Sequence, residues 1–167
     1  VGHQAIGSIT TGSNCTGVGY NALVNNTAND NTGLGKEALT SNTTGGLNTA
    51  VGNETLESNT TGNNNTAVGA NALDASTTAS DNVAIGYEAL GANTTGDLNT
   101  AVGRSAMSNT TNNDRNVAVG YAALQNISDN QGDTYHTALG YGAGNSIQTA
   151  TQFTGVGGNA GLSLTTG

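Results

Sequence analysis

The sequence contains no proline, no tryptophan, a single phenylalanine and a single cysteine. One cysteine, Cys15, excludes an intrachain disulfide. Charge is scarce: 8% of residues are Asp, Glu, Lys or Arg, against about 25% in an ordinary soluble domain. Only Lys36, Arg104 and Arg115 are basic, and the formal net charge is -8. That excludes the basic stripe a nucleic-acid partner needs. No apolar run approaches the roughly 18 residues of a membrane-spanning helix, so this segment is not expected to insert in a membrane. In place of these features the chain has 26 glycines and an abundance of Asn and Thr. Low charge and low complexity also suit a disordered chain. Disorder, however, goes with the lack of a periodic apolar pattern, and here the apolar residues fall in strict columns.

The columns are read from the glycine that follows the aliphatic residue in "AVG". These anchors are Gly2, Gly19, Gly35, Gly52, Gly69, Gly86, Gly103, Gly120, Gly140 and Gly157, spaced by 17 residues except for one step of 16 and one of 20. The consensus is N-T-A-V-G-x-x-A-L-x-x-N-T-T-G-x-x. So short a period, sustained so long, is the mark of a solenoid. The residue before the anchor is always a branched aliphatic: Val1, Val18, Leu34, Val51, Val68, Ile85, Val102, Val119, Leu139 and Val156. Alanine dominates three residues after it, and Leu four after, from Leu23 to Leu124 with Met107 among them.

Fixed Thr, Asn and Gly leave no useful helical stretch. "NTAV" reads as a short strand and "AL" as the start of a second, with "NTTG" and the anchor glycine as bends. The expected fold is all-β: a parallel β-roll, or β-solenoid, of ten rungs of about 17 residues, stacked about 4.8 Å apart. The 16- and 20-residue steps fall in bends, where insertions belong. So do Asp30, Asp81, Asp97, Asp114, Asp129 and Asp133, read as a solvated rim. The chain begins at Val1 rather than a methionine, and neither end looks like a capping repeat. Residues 1–167 are therefore expected to be one repetitive segment of a longer fibre.

Side chains alternate along a strand, so Ala faces a narrow interior while Thr and the aliphatic column face outward. Counted from its aliphatics, a rung offers little apolar burial against the backbone entropy it must lose. An outward stripe of aliphatics also needs a cover. Val18, Leu34, Val51, Val68, Ile85, Val102, Val119, Leu139 and Val156 are therefore the expected interface between copies in a homo-oligomer.

Four residues before the anchor stand Asn31, Asn48, Asn65, Asn82, Asn99 and Asn116, replaced elsewhere by Cys15, His136 and Phe153. The expected role is an Asn ladder of stacked amides; a polar channel holding ions is the alternative. One residue after the anchor come Tyr20, Tyr87, Tyr121 and Tyr141 among unlike residues. They are candidates for stacking on a sugar or protein, against the plainer reading of a solvated bend. Nine Asn-x-Ser/Thr sequons, Asn14 to Asn126, follow from composition alone. His3 and His136 stand alone, no acid/base or nucleophile set recurs, and the calcium-binding nonapeptide is absent. No enzyme, metal or cofactor is expected.

"NVAIGYEAL" (82–90) and "NVAVGYAAL" (116–124) resemble the N-S-V-A-I-G-x-x-A repeats of trimeric autotransporter adhesin heads. The wider "NTAVGxxAL…NTTG" phrase is similar to shaft repeats of bacteriophage tail fibres. The resemblance runs through all the repeats, although the adhesin heads use a shorter period. It implies a left-handed, homotrimeric roll on a cell or virion surface, binding a host-surface protein or glycan. A structural and adhesive extracellular fibre is thus the leading expectation. The alternative is an ice-binding solenoid, in which Thr16, Thr32, Thr49, Thr66, Thr100, Thr137 and Thr154 and their Val neighbours form a flat exposed face.

Overall fold

The computed structural model describes residues 2–7, 12–128, 133–148 and 152–164. Val1 and Asp129 of the sequence reading lie outside them. The chain is an all-β parallel solenoid with no helix among the described residues. Each "TAV" triplet forms one strand: β1 (Thr16–Val18), β2 (Thr32–Leu34), β3 (Thr49–Val51), β4 (Thr66–Val68), β5 (Val83–Ile85), β6 (Thr100–Val102) and β7 (Val117–Val119). After β8 (Asn126–Ile127) come β9 (Thr137–Leu139), β10 (Ser146–Ile147), β11 (Thr154–Val156) and β12 (Ser163–Leu164). The triplet strands pair in chain order into one nine-stranded parallel sheet. Register keeps each column in line, Thr on Thr and Val on Val, as in Thr49↔Thr66 and Val51↔Val68. β-branched residues suit this pleated, half-buried surface.

Two expectations are corrected. The nine strands enclose about eight turns, not ten rungs. The Gly2 coil supplies a turn, tied to the next coil by the bond from Ile6 N to Ala22 O at 2.8 Å, but no strand among the described residues. Second, "AL" does not open a strand. It lies in a turn, with Leu23, Leu39, Leu56, Leu73, Leu90, Met107 and Leu124 at φ of 49–56°, a conformation no strand can contain. Such a leucine is strained by about 1–3 kcal/mol, and complete burial of its side chain offsets the strain.

The anchor glycine makes the sharp exit from each strand. Gly52 has φ 143°, and a Cβ there would come within 2.6 Å of the Gly69 carbonyl oxygen in the next coil. Both backbone conformation and coil-to-coil approach therefore demand glycine.

Burial follows the alternation within the triplets: the middle Ala or Gly is buried and its neighbours look out, as in β4. The interior holds the strand alanines, the turn alanines and the Leu column. It also holds two polar columns. One is the Asn set four residues before the anchor. The other, seven after it, is Asn26, Asn42, Asn59, Ser76, Asn93 and Thr110, every one buried.

In the last three coils the seven-after position becomes Ile127, Ile147 and then Leu164. There a second, three-stranded parallel sheet, β12-β10-β8, appears. Asn42 holds its turn by donating to the Gly45 carbonyl three residues on, at 2.8 Å. Ile127 and Ile147 carry no such donor and enter the apolar core instead, and β-branched residues favour the extended, pairing backbone. In the same region Gly144 and Gly161 replace Leu, and the Phe153 ring occupies the space: a Cβ on Gly144 would lie 2.7 Å from Phe153 Cε1, and one on Gly161 2.5 Å from Phe153 Cε2.

Candidate functional site

The outward face of the nine-stranded sheet carries the aliphatic column. Val18, Leu34, Val68, Ile85, Val119 and Leu139 are between 37% and 45% exposed, and Val156 at the end is 72% exposed. Val51 and Val102 are half-buried. All nine are brought into one line by the register. The Thr residues stand beside them on the same face, half-buried or exposed. Each strand adds one step of about 4.8 Å, so the face is a regular strip with Thr on one side and Val, Ile or Leu on the other.

Beneath it, the six Asn residues from Asn31 to Asn116 are fully buried. Asn48 N donates to Asn31 Oδ1 at 2.9 Å, and Asn65 N to Asn48 Oδ1 at 3.0 Å. Their side-chain nitrogens donate to carbonyl oxygens of the adjacent coil, Asn48 to Gly62 O at 2.8 Å and Asn99 to Asn113 O at 2.7 Å. The amide oxygens and nitrogens are thus used on neighbours. The first polar column ends at His136, whose N donates to Asn116 Oδ1 at 2.8 Å and whose Nδ1 accepts from Phe153 N at 3.1 Å. Cys15 is half-buried in this position, and its sulfur accepts from Asn26 Nδ2 at 3.3 Å. Sequence reasoning missed the second polar column. The signal was there, a recurring Asn opening "NTTG", but it was read as a surface bend because it is polar.

Along one edge the Tyr column is exposed. Tyr20 stacks on His3 at 5.8 Å and Tyr121 on Tyr141 at 5.0 Å, while Arg104 lies over Tyr87 at 5.5 Å. One face of each ring is therefore used within the edge, while the tyrosines stay between 44% and 63% exposed. Glu88 beside the Tyr87 hydroxyl raises its pKa. The basic residues are engaged as well. Lys36 Nζ sits 2.6 Å from Glu37 and 3.0 Å from Glu54, which together raise its pKa. Arg115 pairs with Asp133.

A shallow groove of about 280 Å³ has Asn71, Asp74, Glu88, Gly91, Ser108 and Asn109 around it. Burial pushes the Asp74 carboxyl up, as it does Glu57, which also feels Glu54, Glu37 and Asp74. Among the described residues no three His, Cys, Asp or Glu side chains converge on a metal position. Of the sequons, Asn42, Asn59 and Asn93 are buried and closed to modification.

No family model, no curated protein and no solved structure matches the chain. The site therefore has to be read from its own geometry. That geometry is a parallel stack of coils with one Thr/aliphatic face, one aromatic edge and an interior hydrogen-bonded from coil to coil.

Proposed function

We propose that this chain is a segment of a structural and adhesive extracellular fibre, of the trimeric adhesin-head or tail-fibre-shaft type, in which the aliphatic face is covered by sister copies in a homotrimer. The observation that carries this reading is the half-buried to exposed column from Val18 to Val156, held in register on one face. A continuous apolar strip of that length favours a partner surface, and an identical rod offers the same spacing. A shortage of core is a weaker argument. The two buried amide columns give most coils an interior that counting aliphatics alone overlooks. The work of such a rod is reach, stiffness and multivalent presentation, with the Tyr edge as the contact for a host-surface protein or glycan. We read it as a non-enzyme outside the cell or on a virion.

Sedimentation equilibrium of the folded chain tests the proposal. The expected result is three chain masses, falling to one when Val68→Lys and Ile85→Lys are combined. A folded monomer with the parent sequence rejects it. One observation favours a second reading, an ice-binding solenoid: the Thr residues stand at strand spacing on the same open face. A monomer that depresses the freezing point of ice below its melting point supports that reading and removes the first.

A further inference from the structure

The inner polar column has a rule. Asn42 Nδ2 donates back to Asn26 Oδ1 at 2.6 Å, and Asn59 Nδ2 donates back to Asn42 Oδ1 at 2.8 Å. Each amide oxygen therefore faces the following coil. At the next coil the rule breaks, because residue 76 is Ser. Asn59 Oδ1 and Ser76 Oγ are both buried and both without a hydrogen-bond partner. From the other side, Asn93 Nδ2 donates to Gly96 O at 2.9 Å. Its Oδ1 accepts from Gly96 N at 3.1 Å, and its nitrogen makes no bond back to Ser76, whose Oγ has no partner.

The same coil carries a compensating change. Where the column holds Asn42, Asn59 or Asn93, the residue three later is Gly45, Gly62 or Gly96. A Cβ on Gly62 would lie 2.5 Å from Asn59 Oδ1, and one on Gly96 2.5 Å from Asn93 Oδ1. In a 17-residue coil the full amide and a Cβ three residues on compete for that space. Ser76 is followed by Ala79, and Thr110 by Asn113, so among the 17-residue coils a Cβ stands at that place only where the amide is gone; the 16-residue coil differs, Asn26 donating to Ala28 O two residues on at 2.8 Å. Ser is shorter than Asn by a carbon and a nitrogen, and the Ala79 methyl returns one of these atoms. The space left over is that of about one heavy atom. Thr110 leaves no comparable need, since its hydroxyl turns to Met107 O at 2.8 Å.

We propose that the solenoid binds one ordered water molecule in its core between Asn59 Oδ1, Ser76 Oγ and Asn93 Nδ2, and that Ser76 and Ala79 are a coupled pair that creates its site. The water donates to Asn59 Oδ1, accepts from Asn93 Nδ2 and exchanges a hydrogen bond with Ser76 Oγ. Three polar partners are the usual complement of a buried water, and leaving them unsatisfied in the interior is costly. The inference is independent of the fibre reading, because it concerns the interior of one chain.

A crystal structure of the parent chain at a resolution that orders water tests it without any variant. The expected result is one full-occupancy water within hydrogen-bond distance of Asn59 Oδ1 and Ser76 Oγ; a dry site overturns the proposal. Solution relaxation dispersion of water oxygen supplies the second arm. The double variant Ser76→Asn, Ala79→Gly is expected to lose one long-lived water and to melt at least as high as the parent. Ser76→Asn alone, with its amide against the Ala79 methyl, is expected to melt lower than the double variant by about 2–4 °C or more. An unchanged number of long-lived waters, or a single variant as stable as the double, overturns it.

Discussion

Asn65 stands with its backbone N–H 3.0 Å from Asn48 Oδ1 and its side-chain nitrogen 2.8 Å from Ala79 O. Its own Oδ1 accepts from Asn82 N at 3.0 Å. One side chain thus closes two backbone groups of the next coil that the strand ladder does not reach.

Asn65→Ala removes that closure and leaves the Asn82 N–H and the Ala79 carbonyl buried without partners. At about 1–3 kcal/mol for each such group, a loss of about 3 kcal/mol is expected in urea unfolding. Asn64→Ala, next door but exposed on the rim, should cost far less. Comparing the two separates the ladder from general loss of polarity.

Gly69→Ala and Gly157→Ala both force a side chain onto a positive φ, 132° and 120°. At Gly69 the added Cβ also comes within 2.5 Å of the Gly86 carbonyl oxygen, whereas at Gly157 nothing lies within 4 Å. Gly157→Ala is expected to lower the melting point modestly, through backbone strain alone. Gly69→Ala should lower it much more, or abolish the stacked sheet in circular dichroism.

Phe153→Ala empties the space that Gly144, Gly155 and Gly161 leave in the last coils. A loss of about 3 kcal/mol is expected, in the range for removing an aromatic from a core. The loss should be confined to the C-terminal coils, read as faster hydrogen exchange in β10 and β11 with β3–β5 unchanged. Coils of a solenoid contact only their neighbours, so the damage stays local.

Acid should stabilise this fold before it harms it. Burial raises the Asp74 and Glu57 carboxyl pKa values, so the folded chain favours their protonated forms. Their contribution is fully present below the unfolded carboxylate values near about 4 and is lost as pH rises through the raised folded values. Glu54, held low by Lys36, works in the opposite sense, but it is an exposed pair and weakly coupled to stability. The melting point is expected to rise as pH falls from about 7 to about 4.5, and Asp74→Asn should remove much of that rise.

Much of this architecture was legible before any coordinates. The anchor glycines, the outward aliphatics and the inward alanines recur at a fixed period, and alternation along a strand assigns their faces. The turn at "AL" was not legible. A buried leucine with positive φ violates local preference, and only contact with the coils above and below makes it tolerable. The Asn of "NTTG" was misplaced for a related reason: sequence reasoning sends polar residues outward, while here an amide spans the coil spacing and bonds within the stack. Among the site residues, the Asn and Tyr columns could be listed from the period, but their partners could not.

The sequence by itself determined that equivalent residues stack in columns, because a repeat of about 17 residues with two-fold alternation leaves no other way to place them. Only the tertiary structure decided which columns close the interior, where the second sheet begins, and that Phe153 fills the hollow left by glycines in two different coils. Those outcomes depend on distances between coils, and a hydrogen bond or a methyl contact across a stack is set by the neighbour it meets, which no single repeat contains.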